Sequence, residues 1–273
     1  RQAALAALST MALPALPTTA PMPTVLACTD QPTRAEWNET VSQVIHRFEV
    51  NDLRKMVLAR RRSLTLASAP EPLALMIRLE EQAPRCFHFF LQPEPGLVFL
   101  GASPELLYRR HGQTLESEAL AGTRPRGRDA AEDAQFVQEL LTTAKDLAEH
   151  QLVMDSLVQW LTPLSQKLGI GQDLRVFPLA RVQHLWRGLS ATILPDVTDD
   201  QLLTLLHPTP AVGGTPRERA LEGIAWLENF DRGWYASPVG WLGSDGACFS
   251  VAIRSGLLQG DKLALFAGSG LVA

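Results

Sequence analysis

The sequence contains few cysteines, namely Cys28, Cys86 and Cys248 among 273 residues. Three distant cysteines without metal-type spacing argue against a disulfide framework, and they predict buried thiols in a reducing, cytoplasmic compartment. The chain also lacks an excess of either charge, with 25 basic and 29 acidic residues and a net charge of −4. This balance argues against a nucleic acid or a membrane surface as a partner. No apolar run approaches the length of a membrane span.

Several motifs of common enzyme classes are missing as well. There is no GxxxxGK[ST] loop for nucleotide phosphates and no GxSxG turn for a serine nucleophile. Gly268-Ser269-Gly270 is an isolated GxG at the end of a strand, which is too little to indicate a dinucleotide. Gly213-Gly214 could offer backbone amides to an anion or simply form a turn. The first 17 residues are Ala- and Pro-rich with a single Arg and no initiating Met, and we interpret them as the interior of a longer chain.

The periodic segments predict an α+β fold. A helix over 33–50 begins with the capping-box pair Thr33 and Glu36, and a strand follows at 55–60. One long helix is expected over 129–161, a strand over 180–193, and a further helix with Pro216 at its N1 position. Strands occur in antiparallel groups with helices unevenly interposed, which favours antiparallel sheets over a doubly wound parallel sheet.

The closing segment, 234–273, has three apolar runs separated by Asp- and Gly-containing turns, and it predicts consecutive antiparallel hairpins. Arg254 interrupts the second run. A guanidinium in an apolar strand needs an anionic partner, and no acidic residue stands at a nearby strand position. The partner is either a ligand carboxylate, which a guanidinium can bind through two hydrogen bonds, or a distant Glu.

Two further charged residues stand in apolar surroundings. Lys55 shares a strand face with Val57 and Ala59; it is either a solvated edge lysine or, if buried, a candidate general base. Glu105 lies between small residues and two leucines; it is either part of a surface turn or a carboxyl that an apolar setting keeps protonated as a general acid.

The predicted long helix carries a pair of carboxylates. Asp146 and Glu149 are three residues apart, so they share a helix face and could bind a divalent cation, or they could form a solvated face on which Lys145 pairs with Glu149. His184 shares a strand face with Val182 and Trp186, where a hydrogen-bonded core histidine is expected.

Taken together, the motifs resemble those of the chorismate-utilising enzymes. The matching stretches run from about residue 33 to the end: KMVLAR, GASPELL, EALAGTRPRG, AKDLAEHQLV, VQHLW, HPTPAVGGTPR, DRGWYASPVGWLG and IRSGL. Within that family the chain is most similar to isochorismate synthases of the menaquinone pathway, because of DRGWYASPVGW. The resemblance implies two packed antiparallel β-sheets with outer helices, the fold of anthranilate and aminodeoxychorismate synthase component I.

The resemblance also implies roles for individual residues. Lys55 takes the position of the base that activates water for attack at C2 of chorismate, and Glu105 that of the acid that protonates the departing C4 hydroxyl. Glu149 matches a Mg²⁺ ligand with Asp146 in support. The remaining matched positions contact the substrate, and they are Gly122, Thr123, His184, Ala211, Tyr235, Arg254 and Gly268.

Two positions bear on the reaction. Relatives that install an amine have a lysine where this chain has Ala121, which leaves water as the nucleophile. Relatives that form salicylate tend to have Thr at the position of Ala211. The expected activity is therefore that of a Mg²⁺-dependent isochorismate synthase. The alternatives are anthranilate or aminodeoxychorismate synthase component I, a salicylate synthase, or a catalytically degenerate chorismate-binding protein.

The resemblance also sets the expected domain organisation. Residues 1–32 are interpreted as a remnant of an N-terminal region, and 33–273 as the chorismate-binding catalytic domain. The family's second metal-binding segment, an acidic motif, is expected beyond Ala273, together with a lysine that contacts the substrate.

Overall fold

The computed structural model describes residues 17, 21–50 and 53–273, which form two antiparallel β-sheets with helices packed on them. In spatial order, the strands of the first sheet are β1 (Val25–Gln31), β2 (Lys55–Leu66), β14 (Lys262–Val272), β13 (Ser255–Gln259), β4 (Leu97–Ser103) and β3 (Phe87–Glu94), with the short β10 (Gly214–Thr215) beside β2. Those of the second sheet are β11 (Pro238–Leu242), β12 (Gly246–Val251), β5 (Leu106–His111), β6 (Thr114–Pro125), β9 (Val182–Ile193) and β7 (Ser165–Ile170), with β8 (Arg175–Pro178) also paired to β9.

The helices bury one face each against these sheets. They are α1 (Arg34–Glu49), α2 (Pro72–Gln82), α3 (Ala130–Thr142), α4 (Ala144–Leu161), α5 (Asp199–Leu206) and α6 (Arg217–Leu227). Helices α1 and α6 pack on the first sheet around Val44, Met56 and Ala220, and α4 packs on the second sheet through Met154 and Leu157. The main core joins Ala59 of the first sheet to Leu107 of the second, and a smaller cluster contains Phe89 and Phe99. The predicted α+β fold with two packed antiparallel sheets is confirmed.

Two helix predictions need correction. The long helix expected over 129–161 is two helices, because Thr143 takes an extended conformation (ψ 118°) and ends α3 before α4 begins. Pro216 is the N-cap of α6, with ψ 146°, and the helix begins at Arg217 rather than at the proline. The capping box at Thr33 and Glu36 is present as predicted. Strands β7 and β8 had no counterpart in the sequence prediction, and β9 begins at Val182 instead of residue 180.

The closing segment does not form one continuous run of hairpins. Strands β11 and β12 pair in the second sheet, whereas β13 and β14 pair in the first. The second apolar run therefore breaks at residues 252–254, where the chain crosses between sheets. Arg254 lies at this break with φ 53°. The prediction that it is a strand residue is therefore wrong.

A second crossing runs beside the first. The chain leaves the first sheet at the end of β4 and enters the second at β5, with Glu105 in the connection. The Ala102 amide donates to the Arg254 carbonyl at 3.2 Å, and the Val251 amide donates to the Glu105 carbonyl at 3.1 Å. Glu105 and Arg254, which both interrupt apolar segments of the sequence, thus lie on adjacent connections between the sheets.

Three further features bear on the sequence predictions. All three cysteines are unpaired, but Cys28 is exposed and the other two are only partly buried, so the prediction of buried thiols was wrong. Across the described ranges, no helix combines the length and apolarity that a membrane crossing requires. Strand β1 pairs with β2 along most of its length, although it precedes the domain boundary placed at residue 33, and that boundary stays a prediction.

Candidate active site

A cavity of about 230 Å³ lies where the two sheets and α4 converge. The first sheet contributes Lys55 from β2 and Gly268 from β14, and the second sheet contributes His184 from β9. Of the eleven residues predicted for the site, ten line this cavity: Lys55, Glu105, Gly122, Thr123, Glu149, His184, Ala211, Tyr235, Arg254 and Gly268. Asp146 is not among the lining residues. The structure thus brings together positions that are up to 213 residues apart in the chain, from Lys55 to Gly268.

Lys55 is buried at the head of β2, with 1 % of its surface exposed. A solvated edge lysine is therefore excluded. Its Nζ lies 2.9 Å from Oε1 of Glu149 on α4. A hydrogen-bonded carboxylate at this distance offsets the cost of burying the lysine side chain. The Lys55 amine is therefore engaged with Glu149 in this structure, and its role as a base stays a prediction.

Glu105 is also buried, with 5 % of its surface exposed, so the surface-turn alternative is excluded. Burial, followed by the charge of Glu118, raises the pKa of this carboxyl to about 7, although Lys55 and a hydrogen bond from Thr209 act in the opposite direction. The Thr209 hydroxyl donates to Oε1 at 3.4 Å. A carboxyl with a pKa near neutrality can hold a proton at pH 7 and release it to a substrate oxygen.

The sequence pattern did not single out Glu118, which lies on β6 directly before the Ala119-Leu120-Ala121 run. One carboxylate oxygen accepts the Leu106 amide at 3.0 Å, and the other accepts the Trp186 indole N–H at 2.6 Å. Because Leu106 follows Glu105, Glu118 fixes the backbone beside the acid while its charge acts on the acid's pKa. The available signal was an acidic residue directly before a short apolar run that leads to a motif glycine.

His184 links the crossing that contains Arg254 to the second sheet through hydrogen bonds on both ring nitrogens. Its Nε2 lies 2.9 Å from an Arg254 nitrogen and its Nδ1 lies 2.9 Å from the Thr123 hydroxyl. A guanidinium can only donate, so Nε2 accepts and Nδ1 carries the ring hydrogen. Burial lowers the pKa of His184 to about 4, with the nearby Arg254 as the second cause, so the ring is neutral at pH 7.

Arg254 therefore has no compensating negative charge within the described part of the chain. It forms no ion pair there, and the alternative of a distant Glu is not found. Its contact with a neutral imidazole positions the guanidinium at the cavity without neutralising it. A carboxylate ligand would supply the missing charge through two-point hydrogen bonding.

The cavity wall uses glycines where side chains approach closely. Gly122 has φ 80°, a conformation that favours glycine. A Cβ on Gly268 would lie 2.7 Å from the Tyr235 hydroxyl, and one on Gly270 would lie 2.9 Å from Oε1 of Glu149. These glycines leave room for the tyrosine and the glutamate, which is a structural reason for the GxG pattern. Burial raises the pKa of Tyr235 to about 12, so its hydroxyl keeps its proton and can donate a hydrogen bond.

The predicted metal ligands do not fit a divalent cation as they are arranged. Asp146 is 4 % exposed and is held by Arg124, with a 2.6 Å ion pair to one oxygen and a 3.2 Å hydrogen bond to the other. Glu149 is paired with Lys55, not with Lys145. Within 21–50 and 53–273, no group of three or more His, Cys, Asp or Glu side chains could hold a metal ion. Of the two predicted ligands only Glu149 faces the cavity, and one carboxylate that already has a cationic partner is too small a donor set for Mg²⁺.

Comparison with known proteins shows the family of the chain. A family model described as "Chorismate binding enzyme" matches residues 3–273. Isochorismate synthase MenF of Pasteurella multocida is 39 % identical over 243 residues, which are 88 % of this chain and 56 % of that protein. The salicylate biosynthesis isochorismate synthase of Pseudomonas aeruginosa is 44 % identical over 241 residues, which are 88 % of this chain and 50 % of that protein.

A solved structure gives the same result. The menaquinone-specific isochorismate synthase MenF from Escherichia coli superposes with a TM-score of 0.89 at 32 % identity, covering 99 % of this chain and 62 % of that one. The chain spans about half the length of the curated relatives it matches. From the match along almost its whole length, the chain belongs to the family of chorismate-binding enzymes.

Proposed function

We propose that the protein containing this chain is an isochorismate synthase. It would convert chorismate to isochorismate by attack of water at C2 and loss of the C4 hydroxyl, with a shift of the ring double bonds. The observation that carries the proposal is the presence of Lys55 and Glu105, both buried, in the lining of one cavity. The curated relatives include isochorismate synthases named for menaquinone and for salicylate biosynthesis, so the pathway is left open.

The proposed chemistry needs two proton transfers in one enclosed site. A base removes a proton from the attacking water, and an acid gives one to the leaving hydroxyl, which departs as water. Glu105 suits the second role because its raised pKa keeps much of it protonated near pH 7. Lys55 suits the first role as a neutral amine that is released from its contact with Glu149. Each transfer is typically worth about 10²–10⁴-fold in rate.

The substrate is a dicarboxylate, and the cavity offers groups for its anionic ends. Arg254 has a guanidinium without a compensating charge and Tyr235 a protonated hydroxyl. Gly122, Thr123, Ala211 and Gly268 complete the proposed contacts, and His184 positions Arg254 and Thr123. Mg²⁺ dependence is an expectation from the family resemblance alone, because Glu149 and Asp146, as arranged here, do not form a cation site, and no catalytic step is assigned to the metal. The unpaired cysteines support a cytoplasmic location as part of the proposal.

The direct test is product identification from chorismate with the full-length protein. Purified protein is incubated with chorismate and Mg²⁺, with and without EDTA, and products are separated and identified by mass spectrometry. Isochorismate supports the proposal. An aminated product that appears only with an ammonium salt indicates an anthranilate- or aminodeoxychorismate-type reaction, salicylate reveals itself by fluorescence, and no product at all indicates a binding protein.

Two variants test the assigned roles. Lys55→Ala and Glu105→Gln should each lose conversion by about 10²-fold or more, since each removes one of the two proton transfers. The unfolding temperature of each variant shows whether the fold survives. Turnover retained in either variant would reject the role given to that residue.

A further inference from the structure

A second cavity, larger than the catalytic one, lies beside it on the other side of Arg254. Its volume is about 570 Å³, within the usual range of small-molecule sites. One wall is the end of α2 and the turn that follows it, including Leu79 and Arg85. The other wall is the connection from β8 to β9, including Leu179 and Arg181. Arg254 lines both this cavity and the catalytic one, so the two adjoin at its side chain.

The lining of this outer cavity is strongly cationic. Four arginines contribute to it, and the described part of the chain adds no carboxylate to the lining. Arg126 is neutralised by a two-point ion pair with Asp133, at 2.8 and 2.7 Å. Arg85, Arg181 and Arg254 form no ion pair with any described carboxylate. Three uncompensated positive charges around one cavity create a potential that attracts a small anion.

The arginines differ in how firmly they are held. Arg85 donates to the Pro178 carbonyl at 3.0 Å and its guanidinium stacks over the Phe177 ring at 4.3 Å, so it joins the two walls. Arg254 is held by His184. Arg181 is exposed, as Arg85 and Arg254 are, but within the described ranges its side chain forms no hydrogen bond or ion pair. Because these three arginines line one cavity, a carboxylate bound there lies within reach of a guanidinium that is held in place or of one that has no partner.

The rest of the lining suits the other part of such a ligand. Leu79, Pro84, Ala102 and Leu179 present apolar surface between the cations. An apolar ring that bears two carboxylates would bury its ring against these side chains and hold its charges against the arginines. This is the chemical class of the substrate in the proposed function, on which the present inference rests.

We propose that the outer cavity is a capture subsite, through which the anionic substrate passes to the catalytic cavity. Occupation of this subsite raises the local concentration of a dianion next to Arg254. It takes no part in the proton transfers. Its contribution therefore belongs to substrate capture and not to the chemical step.

Arg181→Gln in the full-length protein tests the proposal, because Arg181 is exposed and no described side chain depends on it. At low ionic strength we expect kcat/KM for chorismate to fall about three- to tenfold, with kcat unchanged. The difference should shrink as salt is raised, since screening weakens the attraction. Arg181→Lys should retain most of kcat/KM, whereas Arg181→Glu should lower it further than the Gln variant.

The matched control is Arg175→Gln. Arg175 is also exposed and lies on β8 near the cavity, but it is outside the lining and paired with Asp173 at 3.0 Å. This change should leave kcat/KM and its salt dependence as in the wild type. If Arg181→Gln and Arg181→Glu match the wild type at every salt concentration while the wild type converts chorismate, the capture subsite is rejected and the proposed function stands. If the wild type does not convert chorismate, the proposed function itself fails.

Discussion

At the scale of single residues, the protonation of Glu105 governs both activity and stability. Its pKa is raised from 4.5 to about 7 because the carboxyl is buried, with the charge of Glu118 as the next cause. As an acid it must be protonated, so we expect kcat/KM to fall as pH rises through about 7, measured as a pH–rate profile. A profile that stays flat from pH 6 to 9 would contradict the role of Glu105 as the acid.

The raised pKa of Glu105 should also make the free energy of unfolding depend on pH. The folded state binds the Glu105 proton more tightly than the unfolded state does. Glu105 therefore leaves the free energy of unfolding unchanged below about pH 4.5, and it lowers this free energy increasingly as pH rises to 7 and above. The full cost is on the order of 3 kcal/mol. Glu105→Gln removes this titration, so the variant should gain stability over the wild type at pH 8 but not at pH 5 in urea unfolding. An equal difference at both pH values would show that burial of the charge is not its origin.

Glu118→Gln tests whether the neighbouring charge positions and tunes Glu105. Glutamine cannot accept from both the Leu106 amide and the Trp186 indole, and it carries no charge. We expect a lower kcat and a basic limb of the pH–rate profile displaced to lower pH, because the pKa of Glu105 moves toward its ordinary value. Glu116→Gln is the matched control, since Glu116 is an exposed residue on the same strand. Loss of activity with an unmoved profile would mean that Glu118 is only structural.

At the scale of secondary-structure elements, side chains complete one edge of β2. Residues 55 and 56 of β2 pair with β10, and residues 61–66 pair with β1. Between them Glu228 accepts the Ala59 amide at 2.7 Å, and Arg232 donates to the Val57 carbonyl at 2.7 Å. The two side chains form an ion pair at 2.6 Å, and Arg232 also donates to the Val212 carbonyl at 3.1 Å. The pair thereby fixes β2, which carries Lys55, against the loop that carries Ala211.

Arg232→Met should destabilise the protein by about 3 kcal/mol, because it leaves the buried Glu228 without a counter-charge. Urea unfolding measures the change. The double variant Glu228→Gln/Arg232→Met should recover part of the loss, as no uncompensated charge remains. The control is Arg109→Ala, whose exposed ion pair with Glu116 at 3.7 Å should contribute less than about 1 kcal/mol. Equal losses for Arg232→Met and Arg109→Ala would contradict this account of the β2 edge.

The sequence pattern predicted helices and strands well where they depend on interactions between residues that are close in the chain. The capping box at Thr33 depends on residues three apart, and it was predictable. The break at Thr143 was not, because apolar spacing continues through it and only the backbone of one residue turns. The exit of Arg254 from its strand was likewise hidden, since the apolar run continues on both sides while the chain changes sheets.

At the scale of the whole molecule, the site depends on contacts between residues that are far apart in the chain. The sequence pattern could not predict these contacts. The family resemblance named ten residues that the fold gathers in one cavity. It did not predict that Glu149 would pair with Lys55, because these residues are 94 positions apart and only the packing of α4 on the first sheet brings them together. The same holds for the contact between Arg254 and His184, which joins a crossing segment to the second sheet.

The connections that contain Glu105 and Arg254 lie side by side between the two sheets. We therefore expect substrate binding to depend on how closely the sheets pack. Gly101 on β4 lies against the Phe89 ring and against the crossing that contains Arg254. A Cβ there would clash with the ring and would lie 3.0 Å from the Arg254 carbonyl oxygen. Gly101→Ala should therefore destabilise the protein by about 1–3 kcal/mol and raise KM for chorismate, since the backbone that positions the Arg254 guanidinium must move.

Phe89→Leu separates the two effects of Gly101→Ala. In the double variant the leucine removes the clash with the ring but not the contact with the Arg254 carbonyl. Stability measured by urea unfolding should therefore recover in part, relative to Phe89→Leu alone, while KM stays raised. If KM returns to the wild-type value together with stability, the displacement of Arg254 is not what weakens binding. If Gly101→Ala leaves KM unchanged from the start, the crossings do not control the position of the guanidinium, and the anchoring role proposed for Arg254 loses its structural basis.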